Sequence, residues 1–172
     1  MIKTNRGVTL IELMVVIALI AIVSAIAYPN FKDWMRNASY KEAARDIASA
    51  LLDTRARAIS ENLEHRVELN VGTTPDQYRV TSGNRAYGST SYTTVVIPWT
   101  SFSTFVDLKA NADCSVSSGI IYVSFNPNGS GSSQYICTMD LNGNRKFRSG
   151  VSSSTTGRVK VERWDVGSGT WK

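Results

Sequence analysis

The sequence predicts an α+β protein, with one long N-terminal helix followed by a head built mostly from antiparallel strands. Three observations carry this expectation. Val8 to Ala27 is an apolar run whose only polar members are Thr9, Glu12 and Ser24. From Asn30 to Leu63 apolar residues recur at helical spacing. After Glu64 the pattern turns to partial alternation in segments rich in Val, Ile, Thr, Tyr and Phe, separated by turn residues. A chain of 172 residues has room for one head domain beside the apolar segment, and not for two.

The chain opens on a short basic leader, residues 1–7, with Lys3 and Arg6. A helix over 8–27 is roughly 30 Å long, the thickness of a bilayer's hydrocarbon core. The run is too long for a secretory signal, and Ala25-Ile26-Ala27 leads straight into Tyr28-Pro29, so it reads as an anchor. The cations before it hold the N-terminus in the cytoplasm and send the remainder across. Pro29 should bend the helix without ending it. Beyond it Phe31, Trp34, Met35, Ala38, Ala44, Ile47, Ala48, Leu51, Leu52, Ile59 and Leu63 form the expected apolar face. The opposite face carries Lys32, Asp33, Arg36, Lys41, Glu42, Arg45, Asp46 and Asp53.

Strands are expected at 66–71, 77–81, 94–97, 120–125, 134–139 and 158–163, forming one sheet on the outer half of the helix. Gly72 to Asp76, Asn126 to Gly129 and Asn142-Gly143 read as turns, the last as a tight hairpin. Ser82 to Thr94 and Ser149 to Gly157 read as exposed loops, and Gly129-Ser130-Gly131 as a flexible turn. The expected organisation is a leader 1–7, a membrane and assembly helix 8–29, and a head 30–172. The head divides into an amphipathic helix 30–63 and a β-rich part 64–172.

A head that faces an oxidising compartment favours a disulfide between Cys114 and Cys137; two buried free thiols are the alternative. Nothing suggests catalysis. The single histidine, His65, reads as a surface or capping residue, and no metal-ligand spacing, nucleophile elbow or phosphate loop occurs. No cofactor or metal is expected. Most aromatics should be core, among them Trp34, Trp99, Phe102, Tyr122 and Phe125, with Trp164 and Trp171 at the surface.

The formal charge of +5 is unevenly placed. Residues 1–144 hold twelve basic and twelve acidic side chains. The excess lies in 145–172, where Arg145, Lys146, Arg148, Arg158, Lys160, Arg163 and Lys172 face only Glu162 and Asp165. Such a segment suits a polyanion, since Lys and Arg contact phosphates and a nearby ring such as Trp164 can stack on bases. A solvated surface is the plainer reading.

Glu12 is the one charge inside the apolar run. A carboxylate there needs a partner or the headgroup region. Cleavage after Gly7 would supply a partner, because Val8 would then carry a new α-amino group one turn away, or on a neighbouring helix. The stretch Arg6-Gly7-Val8-Thr9-Leu10-Ile11-Glu12-Leu13, with its apolar continuation to Pro29, resembles the class III signal of type IV prepilins and pseudopilins. Val8 stands where that family usually has Phe. The resemblance implies a pilin-like fold, cleavage between Gly7 and Val8 by prepilin peptidase, methylation of the new amine, and a role for Glu12 and Pro29 in filament assembly. It further implies insertion in a bacterial inner membrane with the head in the periplasm, an assembly platform, and other pilin subunits as partners.

The stretch from Ile120 to Lys160 also resembles the C-terminal half of the FimT and GspH group of minor pilins and pseudopilins. The matching features are the Pro127 to Gly129 turn, a Cys-bearing strand and Gly157-Arg158-Val159-Lys160. Some FimT-type pilins bind DNA in natural transformation through a Gly-Arg-x-Arg pattern. Lys160 in the last place keeps the charge but loses the planar fork. Two roles therefore remain open: a structural subunit of a pilus or type II secretion pseudopilus, and a DNA-capturing minor pilin using Arg145, Lys146, Arg148, Arg158, Lys160 and Arg163.

Overall fold

The computed structural model describes residues 8–172, with positions 29 and 30 described by their backbone alone. Two compact units are distinguished, one ending at Asn37 and the other running Ala38–Lys172. Helix α1, Leu10–Glu61, begins in the first and ends in the second, continuing through position 29. The leader 1–7, including Gly7, lies outside the described residues.

In the first unit Thr9 caps the helix. Its Oγ1 accepts the Glu12 N–H at 3.3 Å, satisfying one of the free donors of the first turn. From Leu10 to Tyr28 the helix is long and apolar enough to cross a membrane, with a mean hydropathy of 2.8 and no residue buried.

In the second unit α1 presents a stripe of Tyr40, Ala43, Ala44, Ile47, Leu51, Thr54 and Ala58, all buried. The spacing of three and four is that of one helical face, and its many alanines let strands approach closely. Leu52 and Ile59, expected inward, are exposed instead. Each follows a stripe residue by one position, and one residue is a rotation of about 100° on a 3.6-residue helix.

Nine strands follow: β1 His65–Val71, β2 Gln77–Ser82, β3 Thr94–Ser101, β4 Asp107–Ala110, β5 Gly119–Phe125, β6 Tyr135–Met139, β7 Arg145–Ser153, β8 Arg158–Asp165 and β9 Thr170–Trp171. They form two sheets rather than the expected one, ordered β3-β2-β1-β5 and β4-β6-β7-β8-β9. Every pairing is antiparallel. Val67, Leu69, Val71 and Val80 of the first sheet and Leu108, Ile136 and Val151 of the second meet the helix stripe in one core. Pro98 sits in β3, an edge strand, where a missing N–H is tolerated.

Ser149 to Ser153, read above as loop, is strand. Its small polar residues carry no β-propensity; pairing on both sides, with β6 and β8, holds them extended. Ser149 also donates from its hydroxyl to the Ala44 carbonyl at 2.6 Å, tying the second sheet to α1. Ser82 to Thr94 is largely the loop expected, with strand only at its two ends. The Asn142-Gly143 hairpin forms between β6 and β7. Asp140 organises it, accepting the backbone N–H groups of Asn142 and Asn144, while Gly143 takes a φ of 81°.

One buried carboxylate joins the two sheets. Asp76 accepts the N–H of Thr73 in the β1–β2 turn at 3.0 Å and that of Leu108 in β4 at 2.7 Å. His65, expected at the surface, is fully buried. It opens β1 shortly after Glu61, the last residue of α1. Its Nδ1 lies 3.2 Å from the Leu63 carbonyl, and its Nε2 lies 3.1 Å from Glu61 without the alignment of a hydrogen bond.

Candidate assembly segment and basic face

The residues expected to direct assembly lie in the first unit. Val8 is 74% exposed just before α1, and Glu12 is exposed in the helix's first turn. The side chain of Pro29 lies outside what is described. All large apolar residues from Leu10 to Ile26 are exposed, a surface that water would penalise and lipid or neighbouring helices would cover. Phe31 and Trp34, expected against the head, are exposed as well, stacked on each other at 5.8 Å. Thr9 was not singled out from sequence; Thr-x-x-Glu ahead of an apolar run is the signal that could have found it.

The disulfide between Cys114 and Cys137 is formed. It joins the loop after β4 to β6, and Trp171 packs against it. Two of the arginines nominated for DNA hold this loop. Arg145 donates to the Asp113 carbonyl at 2.8 Å, with its guanidinium 4.8 Å from the Trp164 ring. Arg148 donates to the Ala112 carbonyl at 3.1 Å and to Glu162 at 2.5 Å, and lies over Tyr135 and Trp171. Lys146 pairs with Asp140 at 3.2 Å. Trp164 and Trp171 are half-buried, packed edge to face at 4.9 Å, rather than free surface rings.

Arg158, Lys160 and Arg163 are different. All three are exposed on β8 and make no ion pair among the described residues. Arg158 is positioned by its neighbour. Gly157 is buried at a φ of 60°, and a Cβ there would stand 2.1 Å from the Gly129 carbonyl. That same carbonyl accepts from Arg55 of α1 at 3.0 Å. The turn read as flexible is therefore clamped between the helix and the β7–β8 turn.

A second charged cluster was missed. Glu68 of β1 is 1% exposed and is gripped by Arg66 and Arg79, each through Nε and Nη2 at 2.7–2.8 Å, and by the Thr81 hydroxyl. Burial alone would raise the Glu68 carboxyl, but these hydrogen bonds outweigh it and hold it below the usual range. Alternation along β1 puts Arg66 and Glu68 on one face, which sequence could have shown. Arg79 joins them only because β2 pairs in a register that sets it opposite Glu68.

The prokaryotic N-terminal methylation motif matches residues 2–28. Two fimbrial proteins of Pseudomonas aeruginosa are 40% identical over 62 residues, which is 36% of this chain and 40% of theirs. The type IV major pilin protein PilA of Myxococcus xanthus (strain DK1622) is 49% identical over 43 residues, 25% of this chain and 20% of that one. The chain thus spans two fifths or less of the length of these relatives. The fold resembles the minor pseudopilin EpsH from the type 2 secretion system of Vibrio cholerae, at TM-score 0.54 and 12% identity over 73% of this chain and 97% of that one. It also resembles the type IV minor pilin FimU of Pseudomonas aeruginosa, at TM-score 0.51 and 14% identity over 77% and 96%.

The chain thus carries a prokaryotic N-terminal methylation motif and a fold that resembles those of a minor pseudopilin and a minor pilin.

Proposed function

We propose that the chain is a minor pilin or pseudopilin of the FimT and GspH group, anchored in the bacterial inner membrane with its head in the periplasm. Prepilin peptidase cuts between Gly7 and Val8, and an assembly platform then moves the chain into a filament beside other pilin subunits, at or near the tip. The observation that carries this is the exposed apolar helix of Leu10–Tyr28 with Glu12 as its one charge, lying within the methylation motif. Glu12 would pair with a neighbouring subunit's terminal amine, offsetting the cost of taking both charges out of water. Mass spectrometry of assembled protein should find a chain starting at a methylated Val8. Gly7→Ala should block cleavage, whereas Glu12→Ala should leave cleavage intact and impair incorporation. Assembled filaments that retain Met1 would refute this reading.

A second reading, DNA capture in natural transformation, is favoured by one observation: the three unpaired cations Arg158, Lys160 and Arg163 on β8. Three phosphate contacts give a log–log salt slope of about −3 and weak, sequence-independent binding. Fluorescence anisotropy of the detergent-solubilised mature chain should show that slope, and Arg158→Gln with Lys160→Gln should remove most of it. Unchanged binding in that double variant would leave the structural subunit alone.

A further inference from the structure

We propose that the outer face of sheet β3-β2-β1-β5 is a docking site for a carboxylate-bearing, partly apolar segment of a neighbouring protein subunit; the identity of that neighbour rests on the filament-subunit reading above. The centre of this face is the row Arg79–Glu68–Tyr122, set side by side by the register of β2, β1 and β5. Arg66 lies next to it, sandwiched between the rings of Tyr92 at 3.9 Å and Tyr122 at 4.3 Å. Arg79 lies 4.6 Å from the ring of Trp99. Two guanidiniums thus surround one carboxylate, leaving the cluster one positive charge in excess.

The way the arginines are used leaves donors free. Each spends Nε and Nη2 on Glu68, and neither Nη1 has a protein partner among the described residues. Their side chains remain 22% and 29% exposed. Carboxylate and aromatic contacts already fix both guanidiniums, so an arriving anion would meet donors that lose little further freedom.

Apolar rims flank this centre on both edge strands. Val95 and Trp99 stand on β3, and Ile120 and Tyr122 on β5, all exposed. Three strand spacings separate the two edges, about 14 Å, enough to seat one helix or extended segment. Trp, Tyr and Arg grouped around a desolvated centre are the residues that dominate protein–protein binding energy. One excess charge between apolar rims fits a carboxylate with apolar neighbours; a nucleic acid would need a longer run of cations.

The test uses the mature full-length chain in detergent micelles, following the arginine Nε–H signals by NMR. The probes are a capped pentapeptide with two glutamates among apolar residues, its glutamine counterpart, and a short DNA duplex. The glutamate peptide should shift the Arg66 and Arg79 signals and bind at least about tenfold tighter than the glutamine peptide. Trp99→Ala and Arg79→Lys should weaken it about tenfold, while Glu68→Gln, which removes the internal competitor, should tighten it. Should Arg79→Lys unfold the head, Trp99→Ala carries the test, because that ring binds no carboxylate of the cluster. Equal affinity for the two peptides, no shift of the arginine signals, or displacement of the peptide by DNA would overturn the proposal. Leader removal and filament incorporation are scored separately in cells. Failed peptide binding with both intact overturns the docking site and leaves the subunit reading, whereas bound peptide with neither overturns the subunit reading and leaves a carboxylate site without its filament partner.

Discussion

Gly157 shows how much one residue can decide. Its backbone is left-handed, and the space a methyl group would occupy is taken by the Gly129 carbonyl and by Arg55. Gly157→Ala should therefore cost about 2–3 kcal/mol, from backbone strain plus displacement of the Arg55 bond. Urea midpoints should show the loss, and Gly143→Ala, whose Cβ would meet open space, should lose only the backbone part, about 1 kcal/mol. Equal losses in the two variants would mean that the clamp contributes nothing. The glycine itself is visible in sequence; its reason is not, because Gly129, Arg55 and Gly157 are far apart along the chain. His65 was misplaced although its polar neighbours, Leu63 and Glu61, are close in sequence; its burial depends on the packed head around it.

Among the elements, the disulfide and the β8–β9 hairpin act together. The bridge spans 23 positions, and the chain-entropy relation gives about 3 kcal/mol for a loop of that size. Replacing Cys114 and Cys137 by Ser should lower stability by roughly that amount in urea titration. The loss should exceed the sum of the separate losses when Arg148→Ala is added, since that side chain holds the Ala112 carbonyl of the same loop. Strict additivity would show that the two restraints are independent. Strands with strong β-branched or aromatic content were legible from alternation. β4 and the Ser149–Ser153 part of β7 were not, because their extended form depends on the strands they pair with, β6 for the first and both β6 and β8 for the second, rather than on their own residues.

At the scale of the whole molecule, stability should depend on pH through carboxyls shifted in opposite directions. Glu68 and Asp140 are held low: burial pushes each up, but hydrogen bonds outweigh it, from Arg66, Arg79 and Thr81 in one case and from Asn144 and Lys146 in the other. A carboxyl below its unfolded value adds stability above that value and loses it as pH falls through the folded one. Asp76, Asp107 and Asp46 are pushed up, chiefly by burial, so they favour the folded state in acid and cost it as pH rises. The net acid limb, below about pH 4, should be dominated by Glu68, which is almost fully buried and paired twice. Glu68→Gln should flatten that limb while lowering stability at neutral pH, measured as urea midpoints across a pH series. An unchanged acid limb would show that the Glu68 cluster contributes little to the net fold.

What the sequence determined by itself is whatever rests on short range. The apolar run with Glu12, the helical period of α1 and the hairpin at Asn142-Gly143 are all written in neighbouring residues. Burial, charge and hydrogen bonding at that range leave few alternatives. Tertiary structure alone decided which face of α1 is covered, that the strands divide into two sheets, and which cations remain free. Of the six basic residues proposed for DNA, Arg145, Lys146 and Arg148 are taken by acceptors up to 36 residues away, while Arg158, Lys160 and Arg163 stay in solvent. Charge can be counted along a chain, but its availability is set by the acceptors that folding brings within about 3 Å.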